Sequence, residues 1–336
     1  MASLGLALLF AAIGLTLGAS SEIAPQDVLA ALTGTGEDWK SRIVWHIRLP
    51  RVLAALLAGA GLSVSGSAMQ SILRNPLGSP FTLGISQAAA FGAAFAVIVL
   101  GVGSAAAGSE AMRHTVNPYL MTFSAFAGSM LSTAGILLLA KLRDATPETM
   151  VLAGIALGSL FNAGITFLEY FASDVELASV VFWTFGDIGK AGWGDIWLLI
   201  VIVCPVCLYF VRNAWSYNCL DSGDETAKSL GVNVERLRVL GMLLASLVAA
   251  VVVSFFGIIG FVGLVVPHIV RKIIGCDEMF LIPASAVFGA AFLLAADTAA
   301  RTIVSPLVLP VGILTSFLGA PLFIFLLIKG RQSWRT

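Results

Sequence analysis

Charge is what this chain has least of. Only 11% of its 336 residues are Asp, Glu, Lys or Arg, while 58% are hydrophobic. A soluble domain carries about 25% charged residues, so most of this surface cannot face water. The formal net charge is zero, which removes the electrostatic footprint that nucleic-acid binding needs. Cysteine is scarce at four residues. Cys204 and Cys207 mimic a redox or metal pair, but they sit in an apolar run with no second pair or histidine nearby, and read as structural. Cys219 and Cys276 fall in segments placed on the cytoplasmic side, where thiols stay reduced. The three histidines, His46, His114 and His268, are scattered and make no metal site. There is no phosphate-binding G-x-x-x-x-G-K-[ST] run: Gly189 and Lys190 are followed by Ala191, and Thr184 stands where the first Gly belongs. No H-E-x-x-H, nucleophile elbow or pair of pathway carboxylates occurs either, so no enzyme class is indicated.

What is present is apolar length. A bilayer core takes about 20 apolar residues per helix, and on that basis the chain divides into ten candidate spans. They run at 3–20, 51–72, 82–103, 117–140, 149–171, 194–211, 238–256, 258–274, 280–299 and 310–328. Residues 1–20 carry no basic leading region and no A-x-A cleavage site, so they are taken as the first span rather than a signal peptide. The 34 glycines suit helices that must approach closely in lipid, where hydrophobic burial does not drive association. The expected fold is therefore all-α and polytopic, a single transmembrane domain over 1–336.

Lys and Arg set the orientation. With both termini cytoplasmic, twelve fall inside (Arg74, Lys141, Arg143, Arg212, Lys228, Arg236, Arg238, Arg271, Lys272, Lys329, Arg331, Arg335) and seven outside. Arg51 followed by VLAALLA opens the second span, and Arg238 followed by VLGMLLA opens the seventh, from opposite sides. That is the pattern of an inverted repeat, though basic-then-Leu-rich is also how membrane helices commonly begin.

The longest polar cytoplasmic stretch is 212–238, RNAWSYNCLDSGDETAKSLGVNVERLR. Ser222-Gly223-Asp224-Glu225 fits a capping box, and the acids complement the positive end of a helix dipole. Ala227, Lys228, Ser229 and Leu230 continue the turn and Gly231 is placed to stop it. Asn233 is placed to cap a second short helix through Glu235 and Arg236. A rigid helix pair outside the bilayer suits docking into another protein's groove, and suits an ordinary interfacial linker equally.

Here a resemblance enters. Leu220 to Gly231 resembles the coupling loop of the iron-siderophore, haem and cobalamin permease family of ABC importers (FecCD-like). So do Arg48-Leu49-Pro50-Arg51, Gln70 through Asn75-Pro76-Leu77, Gly260 to Arg271 (GFVGLVVPHIVR), Asp297 to Arg301, Leu309 to Ile313, and Gly319 to Phe323. Together and in order they cover nearly the whole chain. The chain departs from the family in having no basic residue before Lys40. The resemblance implies a type II importer permease of ten helices, pairing with a second copy or a close homologue in the bacterial inner membrane. Two separate ATPase subunits, holding ATP and Mg2+, would sit below, with an extracytoplasmic binding protein above. The chain itself would hold no cofactor.

Site residues follow from the same resemblance. Arg48, Arg51 and Arg301 match positions that pair with carboxylates of the binding protein, to which the planar Arg fork is suited; anchoring at lipid headgroups is the alternative. Asp297, four residues before Arg301, shares its helix face and orients it. Ser222, Gly223, Asp224, Glu225, Ala227, Leu230 and Gly231, within a segment at about 219–238, would couple to the ATPase. Ala145, Thr146, Pro147 and Glu148 match a cytoplasmic gate; Thr146 and Pro147 equally fit a capped helix start. Asn162, Thr166 and Glu169 share one face of the fifth span and are pathway candidates, because polar groups at membrane depth are costly. Trp183-Thr184-Phe185-Gly186 suggests a short interfacial helix near an outer gate. The expected cargo is a metal chelate, most often a ferric siderophore or haem in this family, with cobalamin as a further candidate. The alternative is an ion-gradient transporter, which would need buried acidic or His relays.

Overall fold

The computed structural model describes residues 14–16, 24–102, 119–142 and 146–330, and among these every regular element is a helix. After α1 (Pro25–Thr33) and α2 (Asp38–Ile43), a wide π turn over Val44–Arg48 leads into α3 (Leu49–Ile72). Pro50 directly follows the π turn, within a helical stretch that runs unbroken from Asp38 to Ile72. Next come α4 (Ile85–Ile98), α5 (Tyr119–Leu142), α6 (Pro147–Tyr170) and α7 (Asp174–Thr184). A 3-10 turn at Ile188–Lys190 precedes α8 (Trp193–Arg212), α9 (Ala214–Asp221), α10 (Asp224–Ser229) and α11 (Val234–Phe256). The chain closes with α12 (Val262–Ile274), α13 (Glu278–Thr302) and α14 (Val311–Gly330).

α3 is the central mast. From Ala58 to Ile72 every residue but Ala60 is buried, and ten of the fifteen are Gly, Ala or Ser. The absence of bulk lets three sides of α3 be approached backbone to backbone. A Cβ on Gly59 would strike the Gly289 carbonyl of α13, and one on Gly66 would strike the Gly263 carbonyl of α12. On a third side a Cβ on Gly61 would come within 2.8 Å of Val248 on α11 and 2.9 Å of Val203 on α8. α3 and α13 run antiparallel: Arg51 near the start of α3 meets Asp297 near the end of α13, and Ser71 at the far end of α3 meets Glu278 at the start of α13. A 24-residue helix puts about 36 Å between those two ends.

A second small-residue contact joins α4 to α5 and α6. Gly92 and Gly128 lie against the Ser124 and Ala88 carbonyls, and a Cβ on Gly84 would stand 2.8 Å from the Gly154 carbonyl oxygen. Outward faces are apolar, with Phe123, Leu131, Leu160, Phe167, Trp197, Val201 and Phe317 exposed; such side chains are at home in lipid or against another subunit.

Among the described residues, six helical stretches are long and apolar enough to cross a membrane: Asp38–Ile72, Tyr119–Leu142, Pro147–Tyr170, Trp193–Arg212, Val234–Phe256 and Glu278–Thr302. The expected span at 82–103 contains a helix of only 14 residues, because turns held by Asn75, Ser79 and Thr82 occupy the approach to it. The expected span at 258–274 contains one of 13 residues. Its first residues are drawn into an irregular segment where Gly257 (φ 76°) lies against the Trp183 carbonyl and Phe261 is left-handed (φ 66°). Of the expected first span only 14–16 are described, as a helical turn. The short helix around Trp183 is present, opened by a Ser173–Glu176 capping box. Trp183, however, is buried against Ala89, Ala90 and Val253 rather than lying at an interface. All four cysteines are free.

Gly66→Val should fail to fold or lose at least about 1–3 kcal/mol through overpacking, read as a fall in unfolding temperature in detergent. Gly194→Ala, with open space around its Cα, should leave that temperature level or slightly raised; equal behaviour of the two variants would refute the close-approach account of α3.

Candidate functional site

The two ends of the α3–α13 pair carry the buried charge. At one end Asp297, fully buried, accepts three hydrogen bonds from Arg51: Nε to both carboxylate oxygens at 3.0 Å and Nη2 to Oδ1 at 2.8 Å. Arg301 Nε adds an ion pair at 3.2 Å. Arg48 Nη1 donates to the Leu15 and Thr16 carbonyls at 2.6 and 2.7 Å, and Arg301 Nη1 to the Gly14 carbonyl at 3.3 Å. The three arginines expected to share a role are thus brought together, and they turn inward. Arg48 and Arg301 are 5% and 4% exposed and tie residues 14–16 to the bundle. Asp297 orients Arg51 as well as Arg301.

At the other end Glu278, also fully buried, accepts from Ser67 Oγ (3.0 Å) and Ser71 Oγ (3.2 Å) and pairs with Arg271 at 3.4 Å. Gln70 steadies Arg271 through a 2.8 Å bond to its Nη1. Asn218 on α9 accepts from the Glu278 backbone N–H and donates to Asp277, both at 2.7 Å. The Asn218 bond, helped by the Met279 N–H, holds the Asp277 carboxyl below the usual range.

The polar stretch at 212–238 is built differently from the helix, Gly turn and helix expected within it. It opens with a helix the sequence did not announce, α9. The Ser222–Glu225 capping box does not form: Ser222 donates to the Asn218 carbonyl, Glu225 extends into solvent with 94% of its side chain exposed, and the N-cap of α10 is Gly223 at φ 120°. Asp224 is claimed instead by two arginines. Arg238 grips both its oxygens at 2.7 Å, and Arg74 reaches Oδ1 at 3.1 Å. Burial works to raise the Asp224 carboxyl, but the bonds from Arg238 and the charges of Arg238, Arg74 and Lys228 outweigh it and hold the group below its ordinary value. Ala227 is buried beneath α10, Leu230 is 53% exposed, and Gly231 ends the turn at φ 82°. Asn233 caps the next helix by accepting from the Arg236 N–H at 2.9 Å, yet that helix is α11 itself, running on to Phe256.

Just past the C-terminal end of α3 lies a groove of about 600 Å³ walled by Leu73, the stretch from Asn75 to Gln87 and α6. Asn162 lines it, together with Ser159, Thr82 and Gln87. Thr166 donates to the Asn162 carbonyl one turn on, and Glu169 continues the same face beyond the groove. Gln87 and Asn75 were missed as site residues; an amide inside the apolar run ISQAAAFGAAF is the signal that points to the first. At the entry to α6 Thr146 accepts from the Thr149 N–H at 3.3 Å, with Pro147 and Glu148 in the first turn, a capped start. Ala145 lies outside the described residues.

Residues 6–329 match the model of the FecCD transport family. A Methanocaldococcus jannaschii protein, provisionally described as an ABC transporter permease, is 56% identical over 302 residues, covering 90% of this chain and 86% of the relative. The hemin transport system permease of Yersinia pestis is 38% identical (86% and 85% covered) and a vitamin B12 import permease of Citrobacter koseri 36% (88% and 87%). A solved structure provisionally described as an inward-facing metal-chelate type ABC transporter superposes with a TM-score of 0.83 at 29% identity, covering 98% of both chains.

Asp297→Ala should cost about 3–5 kcal/mol, because it strands buried guanidinium groups; a drop in unfolding temperature no larger than that of Glu225→Ala would count against it. Asp224 has its folded pKa below the unfolded value of 3.8, so its stabilisation is fully present above that value and fades as pH falls through the lower folded one. Amide exchange over α10 should therefore be level with respect to intrinsic rates from pH 8 to about 5, and protection should fall only below about pH 4.

Proposed function

Because the chain belongs to the FecCD transport family, we propose that it is the membrane-spanning permease subunit of a binding-protein-dependent ABC importer that brings a metal chelate into the cell. The cargo we favour is a ferric siderophore or haem, with cobalamin next. ATP and Mg2+ are bound and consumed by two separate ATPase subunits, and the permease works beside a second copy or a close homologue in the cytoplasmic membrane (the inner membrane of a bacterium). The observation that carries this reading is α10. It is a short helix set off the spans, clamped from behind through Asp224 and presenting Glu225, Lys228 and Leu230 outward. A partner that changes shape on ATP binding needs such a rigid handle.

With α10 in the cytoplasm, the Arg51–Asp297 end faces outside. Arg48 and Arg301 support that face from beneath, and Arg51, whose side chain keeps 13% exposure, is the member of the three best placed to meet a carboxylate of the binding protein. The groove beside Asn162 is half of a pathway that a second copy completes, and Thr146–Glu148 mark its cytoplasmic mouth. Small and weakly polar walls let a bulky chelate pass without holding it.

The test is uptake into liposomes containing this subunit with its ATPase, using haem, a ferric siderophore and cobalamin, each with and without binding protein and ATP. Uptake of one compound that requires both is the expected result. Uptake driven by an ion gradient without ATP would overturn the reading in favour of a secondary transporter. Leu230→Glu, at an exposed position, should weaken association with the ATPase about tenfold or more, as loss of an interface anchor does, while leaving the unfolding temperature unchanged; unchanged association would remove α10 from the interface.

A further inference from the structure

Arg74 stands where the coupling segment meets the groove. It follows the last turn of α3 and, with Phe261, is one of two described non-glycine residues at positive φ, here 46°. Side chains other than Gly, Asn and Asp rarely adopt that conformation, and keep it only when their surroundings over-determine it. Those surroundings are explicit. Arg74 Nε and Nη2 both donate to the Leu220 carbonyl at the end of α9 at 3.3 Å, and Nη2 lies 3.1 Å from Asp224 Oδ1. The guanidinium also packs over Gly223, where a Cβ would come within 3.4 Å of Nη2.

On its other side Arg74 leads directly into the groove wall. Asn75 N–H donates back to the Gln70 carbonyl at 3.0 Å, and Asn75, Leu77, Gly78, Phe81 and Thr82 then line the groove. The stretch ends on Gly84, which touches α6 backbone to backbone at Gly154 and Gly158. An unbroken set of contacts thus runs from Asp224 of α10 through Arg74 and the wall to α6, which carries Asn162.

Arg238 has a different part. It holds both oxygens of Asp224 from α11 and is buried, so α10 stays docked without Arg74. What Arg74 adds is the connection to the groove. We propose that Arg74 is a positioning residue for energy coupling, transmitting displacement of α10 to the wall of the transport groove. This rests on the permease reading above.

The test uses the complex with its ATPase subunits in lipid nanodiscs. Ser159→Cys in the groove wall is labelled with a maleimide, resolved from the native cysteines by peptide mass spectrometry, with and without ATP plus vanadate. The labelling rate should change about threefold or more on nucleotide binding, the scale of a moderate coupling energy. Arg74→Asn, which tolerates the left-handed backbone but lacks the fork, should abolish that change while ATP hydrolysis continues, and Arg74→Lys should restore part of it. A full nucleotide response in Arg74→Asn would sink the proposal. So would joint loss of hydrolysis, response and thermal stability, which marks a merely structural residue. If the complex carrying Arg74 itself hydrolyses no ATP, the permease reading fails first and the inference falls with it; if it hydrolyses ATP and only Arg74→Asn behaves normally, the inference fails alone.

Discussion

The structure depends on how closely other backbones can approach α3. In lipid there is no hydrophobic gain in bringing two helices together, since the hydrocarbon chains are as apolar as Leu. Association then rests on dispersion contacts, each small and steeply dependent on distance. Gly59, Gly61 and Gly66 fall at intervals that present bare backbone to α13, α8, α11 and α12. Ala60, Ser63 and Ser65 between them keep much of the remaining surface shallow. Four helices can therefore pack on one axis, and the two fully buried carboxylates, Asp297 and Glu278, are placed by that axis.

The charges sit at its two ends and not along its middle. Asp297 and Glu278 belong to the same helix, 19 positions apart by number, and each is 0% exposed. Each is answered by arginine: Arg51 and Arg301 for the first, Arg271 for the second. Burying an unpaired carboxylate is costly, so the pairs act as registration pins. If α13 slid along α3 by one turn, Asp297 would lose Arg51 and Glu278 would lose Ser67 and Ser71 at once. Backbone contact supplies proximity and the ion pairs supply register.

What could be read in the sequence was what near neighbours decide. Gly231 ending a helix, Asn233 and Thr146 opening one, and the apolar lengths of the long spans all depend on residues within a few positions. The misreadings share the opposite property. Ser222 and Glu225 form a sound capping box on paper, but Asp224 between them is taken by Arg74, from 150 positions upstream by number, and by Arg238. That the Arg51 fork is held by Asp297, 246 residues away, is likewise invisible to any local pattern. Trp183 reads as interfacial until the alanine face of α4 that receives it is known. The helix α9 was hidden because AWSYNCLD has little periodic pattern; Tyr217 and Leu220, buried against the bundle, hold it in place.

The bundle is unequal in a way that suits transport. α3 is buried nearly throughout, whereas α6 buries only Met150, Ala153, Gly154, Gly158 and Phe161 of its 24 residues. Motion is drawn from parts with few buried contacts, and within this chain α6 makes fewer of them than the α3–α13 core. Gly154 and Gly158 meet Gly84 without interlocking side chains, a surface that permits sliding more readily than one of interdigitated Leu would. α10 is pinned to the rigid side by Arg238 and reaches the yielding side through Arg74. On the coupling proposed for Arg74, a pull on α10 would be resisted by the core and expressed at the groove, the division of labour that a nucleotide-driven permease requires.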